Sequence, residues 1–244
     1  MRVLSSLVIV LLIAAGITAC AGPNAETLAP YRDMVKQDPA SAEAHYEYGS
    51  AALAVEEHKL ARKEFHKVLE IQPDHEQARL KLARAYEGLS EYVEACEIYR
   101  SILAEDPEHR EANIDLGNVD MALIMDFEML GSMWFFGSDS RLTRIQYAML
   151  DELDISYEEM MDIYREAMNT WRKMVKQEER NAEFWCNLGV IANLTNNFEG
   201  SRVSFEQALK YKEDALKDRE FLTEVYSASM GNKRWVPDVP WTKP

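Results

Sequence analysis

Residues 42–75, "AEAHYEYGSAALAVEEHKLARKEFHKVLEIQPDH", and residues 76–109, "EQARLKLARAYEGLSEYVEACEIYRSILAEDPEH", are two blocks of 34 that align without a gap. A fixed period of this length indicates a repeat architecture in which each block forms one helical hairpin. Glycine or alanine lets the two helices of a hairpin approach, an aromatic side chain fills the gap between them, and proline ends the second helix. The blocks match at these three kinds of position: Gly49 with Ala83, Phe65 with Tyr99, and Pro73 with Pro107.

The pattern resembles the tetratricopeptide repeat. This resemblance implies an all-α fold, a right-handed solenoid of helical hairpins with a helical insertion in the third repeat. The third repeat, 110–181, begins on schedule with Leu116 and Gly117, but its second helix, marked by Ala167 and Trp171, is delayed by an insertion over about 127–156. We predict that the solenoid spans 30–230, with a fourth repeat at 182–214 and a capping helix at 215–230, and that a C-terminal tail follows at 231–244. Because Glu213 replaces the closing proline, the last helix is expected to run on toward the cap.

The N-terminal residues have the pattern of a targeting signal. Arg2 precedes an uncharged apolar run from Val3 to Ala19, which is short for a membrane-spanning helix and typical of a secretory signal. The stretch from Ile17 to Cys20 resembles the lipobox of bacterial lipoproteins. The resemblance implies a signal peptide over 1–19, a lipidated Cys20 and a linker over 20–29. Since Ala21 is not acidic, it also implies an outer-membrane anchor facing the periplasm.

Charge and cysteine content exclude several classes of protein. The chain carries 27 basic and 42 acidic residues, a net charge of −15, and a polyanion binds nucleic acid poorly. Only Cys96 and Cys186 follow the lipobox, too few for a disulfide framework. They fall in different repeats that are not neighbours, so we predict that they do not meet and that both are buried.

The residues also favour a protein without catalytic chemistry. The five histidines fit no metal-binding spacing, and no glycine-rich phosphate loop or nucleophile elbow is present. Paired acids such as Glu158 and Glu159 are typical of solvated helix faces. We therefore predict no metal, no cofactor and no enzymatic activity.

The tetratricopeptide resemblance implies a concave groove lined mainly by the first helix of each hairpin. The family's lysine and asparagine pairs for a terminal carboxylate are missing, so the half-apolar lining favours an amphipathic segment. For Leu53, Leu80 and Ile114, packing under neighbouring residues is an equal alternative. Carried over repeat by repeat, the lining comprises Tyr46, Ser50, Leu53, Leu80, Arg84, Glu87, Ile114, Asn118, Met121, Cys186, Val190 and Asn193.

The insertion carries an apolar cluster that a solenoid does not need. It either folds back against the repeats or is covered by a partner or a membrane. Ser156 and Glu159 have the spacing of a capping box, which predicts that the delayed helix starts at about Tyr157. The cluster comprises Met129, Leu130, Met133, Trp134, Phe135 and Phe136.

Anchor and fold together predict a non-catalytic, membrane-anchored scaffold or adaptor in the bacterial periplasm. It would bind proteins or peptides, of unknown identity, through the groove and the aromatic insertion, in the assembly of an envelope machine. A carrier or chaperone for apolar ligands or unfolded envelope proteins is the alternative function.

Overall fold

The computed structural model describes residues 24–132, 150–151, 156–217 and 219–232. This part of the chain is helical and contains no strand. The chain divides into an N-terminal unit, Met1–Ser90, and a C-terminal unit, Glu91–Pro244. The helices are α1 (Ala25–Gln37), α2 (Ala42–Ala54), α3 (His58–Ile71), α4 (Glu76–Glu87), α5 (Tyr92–Glu105), α6 (Arg110–Ser132), α7 (Tyr157–Gln177), α8 (Ala182–Leu194), α9 (Phe198–Tyr211) and α10 (Glu220–Met230).

The N-terminal unit contains one complete hairpin, α2–α3, with α1 packed on α2 and α4 packed on α3. Gly49 makes the close approach possible, because a Cβ at this position would lie 2.9 Å from Cε1 of Phe65. The Phe65 ring is fully buried, so it fills the gap between the helices as the sequence predicted. Two side chains cap helix starts: the Ser41 hydroxyl oxygen accepts from the Ala44 amide, and Nδ1 of His75 accepts from the Ala78 amide.

The C-terminal unit contains two hairpins, α6–α7 and α8–α9, which contact each other through α7 and α8. Helix α5 packs on α6 at one end of this series, and α10 packs on α8 and α9 at the other. Each hairpin repeats the pairing of glycine with a buried aromatic ring. A Cβ on Gly117 would lie 2.9 Å from Cζ2 of Trp171, and a Cβ on Gly189 would lie 2.9 Å from Cε2 of Phe205.

The third repeat departs from the others at its turn. Glu56, Ser90 and Asn196 have φ angles of 61°, 60° and 60° and occupy the same place in the repeats that begin at residues 42, 76 and 182. The third repeat has Ile124 at this place, and a β-branched residue strongly disfavours positive φ. The chain therefore does not turn at Ile124, and α6 continues to Ser132.

The delayed helix begins as the sequence predicted. The Ser156 hydroxyl oxygen accepts from the Glu159 amide at 3.1 Å, and the Glu159 carboxylate accepts from the Ser156 amide at 2.6 Å. This confirms the capping box, and α7 starts at Tyr157. Apolar side chains of the lengthened hairpin are buried in both helices, among them Leu123 and Phe127 on α6 and Met160 and Ile163 on α7.

The expectation that the last repeat's second helix runs on is wrong. Helix α9 ends at Tyr211, and Lys212 has an extended backbone with φ of −143°. The following turn is closed by hydrogen bonds from the Ala215 amide to the Lys212 carbonyl and from the Lys217 amide to the Asp214 carbonyl. Because this turn buries Ala215 and Leu216, it needs no proline, and the capping helix begins at Glu220.

None of the described helices is both long enough and apolar enough to cross a bilayer.

Candidate functional site

Five of the predicted groove residues are buried. Leu80, Met121, Val190 and Asn193 are fully buried, and Cys186 is 2% exposed. We therefore correct the predicted lining at the four fully buried positions, because a fully covered side chain packs in the core and cannot contact a partner. For Leu80, this outcome is the packing alternative that the sequence left open.

The reason why predicted groove residues are buried is clearest at α8, the first helix of the last repeat. Helices α7, α9 and α10 all pack on it, and nearly every residue from Ala182 to Leu194 is buried. The sequence placed α8 at the groove by analogy with internal repeats. Its face is covered instead by the capping helix that follows the last repeat.

Seven predicted lining residues are half-exposed and remain candidates for partner contacts. Five of them lie on α2 and α4 in the N-terminal unit, and two lie on α6 in the C-terminal unit. They are Tyr46, Ser50, Leu53, Arg84, Glu87, Ile114 and Asn118.

In the N-terminal unit, two of these residues meet a lysine that the sequence analysis did not select. Lys81 on α4 lies over the Tyr46 ring at 4.4 Å and donates to Oγ of Ser50 at 2.8 Å. The Tyr46 ring also stacks on His75, with the ring centroids 5.0 Å apart. We call Tyr46, Ser50, His75 and Lys81 the Lys81 patch. It holds one ammonium group, half-exposed, against an aromatic ring between two first helices.

Lys81 is the residue directly after Leu80, which the sequence analysis selected as a groove residue. The sequence analysis selected Leu80, which points into the core, while the next residue reaches the surface. The equivalent place in the last repeat is Asn187, and this residue also takes part in a polar site, described next.

The C-terminal unit has a cavity of about 550 Å³ between the N-terminus of α8, the C-terminus of α9 and α10. Arg219 forms its fixed wall: Nη2 donates to Oε1 of Glu183 at 2.8 Å, and Nη1 donates to Oδ1 of Asn187 at 3.2 Å. The side chain of Arg219 is only 12% exposed, so its guanidinium is held in place. We call this space the Arg219 cavity.

The Arg219 cavity is positive in a chain whose net charge is −15. Arg180, Lys212 and Arg219 line it, against the single carboxylate of Glu183. Cys186, a predicted groove residue, also borders it. Guanidinium and ammonium groups at the mouth of a cavity bind carboxylates well, so the arrangement suits an acidic side chain of a partner.

The other predicted sites lie beyond what the structure describes. Cys20, Met133, Trp134, Phe135 and Phe136 are outside the described residues, and the side chains of Met129 and Leu130 on α6 are also not described. Cys96 and Cys186 are described; both are buried, and they are not bonded to each other.

The hairpins α2–α3, α6–α7 and α8–α9 are each closed by a glycine against an aromatic ring, and such repeated hairpins define a helical-repeat protein. Residues 28–76 and 49–110 match one profile described as a tetratricopeptide repeat, and residues 182–214 match a second. These residues therefore carry tetratricopeptide repeats, as the sequence predicted. This repeat is typical of protein-interaction modules rather than enzymes.

Solved structures support the same fold. A crystal structure of MamA is 15% identical, covers 78% of this chain and 89% of its own, and has a TM-score of 0.54. MamA from Desulfovibrio magneticus RS-1, residues 41 to the end, is 14% identical, with coverages of 79% and 88% and a TM-score of 0.55. TTC0263, a thermophilic tetratricopeptide-repeat protein of Thermus thermophilus, is 16% identical, with coverages of 79% and 88% and a TM-score of 0.50. At these identities the likeness shows the fold alone. No curated protein matches the chain significantly.

Proposed function

We propose that this protein is a non-catalytic adaptor, anchored to a membrane through lipid on Cys20, which binds partner proteins through the Lys81 patch and the Arg219 cavity. The observation that carries the proposal is the chemistry of these two sites. The Lys81 patch lies on the first helices α2 and α4, the Arg219 cavity lies between α8, α9 and α10, and each presents cations beside aromatic or apolar side chains.

The charges suggest what the partner carries. Cations are the minority in this chain, yet three of them gather around one cavity and a fourth is held over Tyr46. A partner segment with acidic side chains next to apolar ones would satisfy both sites, since charge complementarity sets specificity and association rate. The sequence alone favoured an amphipathic segment, and the cations add a requirement for carboxylates.

A carrier of apolar ligands has less support. Four charged residues are among those lining the Arg219 cavity, namely Arg180, Glu183, Lys212 and Arg219, and an apolar ligand would strip water from them without replacing their hydrogen bonds. Such desolvation costs several kcal/mol. The described residues thus favour a protein or peptide over a lipid-like cargo.

The cellular setting of the proposal rests on the lipobox-like stretch that ends at Cys20. Cleavage before Cys20 and acylation of its thiol would tether the repeats to a bilayer, and two or three acyl chains anchor a protein stably. We place the anchor in the outer membrane facing the periplasm, and the adaptor in the assembly of an envelope machine.

The anchor is tested by replacing its thiol. Cys20→Ser should abolish incorporation of radioactive palmitate and leave the signal uncleaved. Equal incorporation in the variant and the natural chain would remove the anchor from the proposal.

Partner binding is tested by charge reversal at matched lysines. Lys212 lines the Arg219 cavity, whereas Lys210, in the last turn of α9, lies over the Tyr211 ring and does not line the cavity. Lys212→Glu should reduce the proteins captured from envelope extracts by about tenfold, because it replaces an attraction by a repulsion. Lys210→Glu should capture the same proteins as the natural chain. Equal capture by both variants, with helical content unchanged, would contradict the assignment of the cavity.

A further inference from the structure

A second cavity in the C-terminal unit has the opposite charge to the Arg219 cavity. It encloses about 380 Å³ between α5, α6 and α7, a volume within the range of ligand pockets. The lining residues Glu97, Glu159 and Asp162 are exposed and form its mouth, whereas Leu123 and Ile163 are buried and form its floor. We call it the Glu97 cavity. A ligand in it would meet carboxylates at the edge and apolar side chains below.

The cavity depends on a part of the third repeat that the other repeats lack. The residue of the third repeat equivalent to the first residues of α3, α5 and α9 is Tyr164, but α7 begins two turns earlier, at Tyr157. This added part of α7 contributes Glu159, Asp162 and Ile163 to the cavity. The second helices of the other repeats start too late to form such a wall.

The carboxylates on α7 follow one face of the helix. Glu159 and Glu166 are two turns apart, which separates them by about 10 Å along the helix axis, and Ile163 lies between them. Glu97 lies on α5, the opposite wall of the cavity. Charge and apolar surface therefore alternate over about 10 Å. This pattern calls for a ligand in which cationic and apolar groups alternate over the same length.

The charges that line the cavity do not balance. Nε and Nη2 of Arg100 donate to Oε2 of Glu166 at 2.9 and 2.5 Å. Asp162 forms an ion pair with the exposed Arg165, and the Glu159 carboxylate caps its own helix. Each carboxylate has about four acceptor sites, so these contacts do not saturate them. Four carboxylates and one guanidinium line the cavity, which is therefore negative.

A buried carboxylate behind the wall carries an oxygen without a partner. Asp120 on α6 lies one turn before Leu123 and is fully buried. Its Oδ1 accepts from the Cys96 thiol at 3.6 Å and lies 3.8 Å from Nη2 of Arg100, and both of these residues line the cavity. Its Oδ2 has no hydrogen-bond partner among the described residues. The carboxylate thus points at the cavity wall. Burial, followed by the Glu166 charge, raises the pKa of Asp120, so a cation in the cavity would favour its ionised form.

A linear polyamine fits this arrangement better than a metal ion or a lysine side chain does. The described residues contain no group of three or more potential ligands that could hold a metal ion, and a metal ion would leave the apolar floor uncovered. A lysine that enters tip-first would carry its charge to the apolar floor, away from the carboxylates at the mouth. A polyamine can lie along the mouth, because short methylene chains join its ammonium groups. With bonds of about 1.5 Å, extended spermidine places its terminal nitrogens about 11 Å apart, close to the spacing of Glu159 and Glu166.

We propose that the Glu97 cavity binds a linear polyamine, with its ammonium groups beside Glu97, Glu159 and Glu166 and its methylene groups on the apolar floor. The lengthened hairpin of the third repeat thus builds a small-molecule site. This proposal is independent of the proposed function, since it uses neither the Lys81 patch nor the Arg219 cavity.

Isothermal titration of the full chain with spermidine tests the class of ligand. We expect saturable binding that weakens as salt is added, because the carboxylates at the mouth are exposed. Putrescine, whose two nitrogens are only about 6 Å apart, should bind at least about tenfold more weakly, because it cannot reach both Glu159 and Glu166. Magnesium ion is the control for charge without methylene groups and should also bind at least about tenfold more weakly than spermidine.

Matched acids on the same helices locate the binding. Glu97 and Asp162 line the cavity, whereas Glu94 on α5 and Glu158 on α7 do not. The double variant Glu97→Gln, Asp162→Asn should weaken spermidine binding at least about tenfold. The control Glu94→Gln, Glu158→Gln removes the same net charge from the same helices and should leave the affinity within about twofold. All four side chains are exposed, so neither variant disturbs the core, and circular dichroism checks this.

Three outcomes would overturn the proposal. The first is the absence of saturable spermidine binding by the natural chain. The second is equal weakening by the cavity variant and the control variant, because spermidine would then bind the general negative charge of the chain. The third is binding of magnesium ion, or of the blocked peptide acetyl-Lys-Ala-Lys-amide, as tightly as spermidine, because the cavity would then select charge alone or a protein segment.

Discussion

Gly189→Ala tests the close approach of a glycine to a buried aromatic ring in the hairpin α8–α9. A Cβ at this position would lie 2.9 Å from both Cε2 and Cζ of Phe205 and 3.0 Å from its Cδ2. Phe205 is fully buried, so its ring cannot move into solvent. In an open helix the substitution would gain about 1 kcal/mol of helix propensity. Overpacking costs about 1–3 kcal/mol, and we expect a net loss of about 1 kcal/mol.

Urea denaturation followed by circular dichroism measures this loss, which corresponds to a fall in Tm of about 2–4 °C for a domain of this size. Phe205→Leu removes the ring that the new methyl group meets. In that background Gly189→Ala should stabilise the protein by about 1 kcal/mol, giving a coupling free energy of about 2 kcal/mol. A gain of about 1 kcal/mol from Gly189→Ala in the natural chain, or effects that add to within about 0.5 kcal/mol, would refute the reasoning.

Three further substitutions test local features. Glu56→Gly should stabilise the protein by about 1 kcal/mol in urea denaturation, because it relieves a φ of 61° that costs a non-glycine residue about 1–2 kcal/mol; a loss of stability would contradict this. Ser156→Ala should cost about 1 kcal/mol by removing the capping box of α7, and an unchanged unfolding midpoint would show that the cap is not needed. Asp120→Asn should flatten the pH dependence of stability. Burial raises the pKa of Asp120 in the folded state, so its contribution to the free energy of unfolding is favourable at low pH and is lost as the pH rises from the unfolded-state pKa toward the folded-state pKa. The variant should therefore gain most stability at neutral pH. An unchanged dependence of the free energy of unfolding on pH between pH 4 and pH 8, measured by urea denaturation, would contradict this.

The repeat pattern predicted the fold because its key positions act locally. The glycine, aromatic and proline positions specify each hairpin through contacts within one repeat. The capping box at Ser156 is similarly local, and the structure confirms it. The long α6 could also have been read from the sequence, since Ile124 stands where Glu56, Ser90 and Asn196 adopt positive φ.

The groove was predicted less well because burial depends on neighbours in space. Val190 and Asn193 occupy lining positions of their repeat, yet α10 and the adjoining hairpin cover their helix. The candidate binding residues beside α8 are instead cations from other parts of the chain: Lys212 follows α9, and Arg219 lies just before α10. No period in the sequence relates either residue to α8, so only the folded chain brings them together.

The central claim, that the chain binds proteins through the Lys81 patch and the Arg219 cavity, is tested most directly at the Lys81 patch, by site-specific photo-crosslinking in cells that produce the protein. A photoreactive residue at Ser50, beside Lys81, should crosslink to defined proteins, and the crosslinks should disappear when Lys81→Glu is added. The same probe at Val203, which is 41% exposed on α9, is the control and should give none of these products. Crosslinks to lipid alone at Ser50, or the same protein products from both positions, would contradict the account.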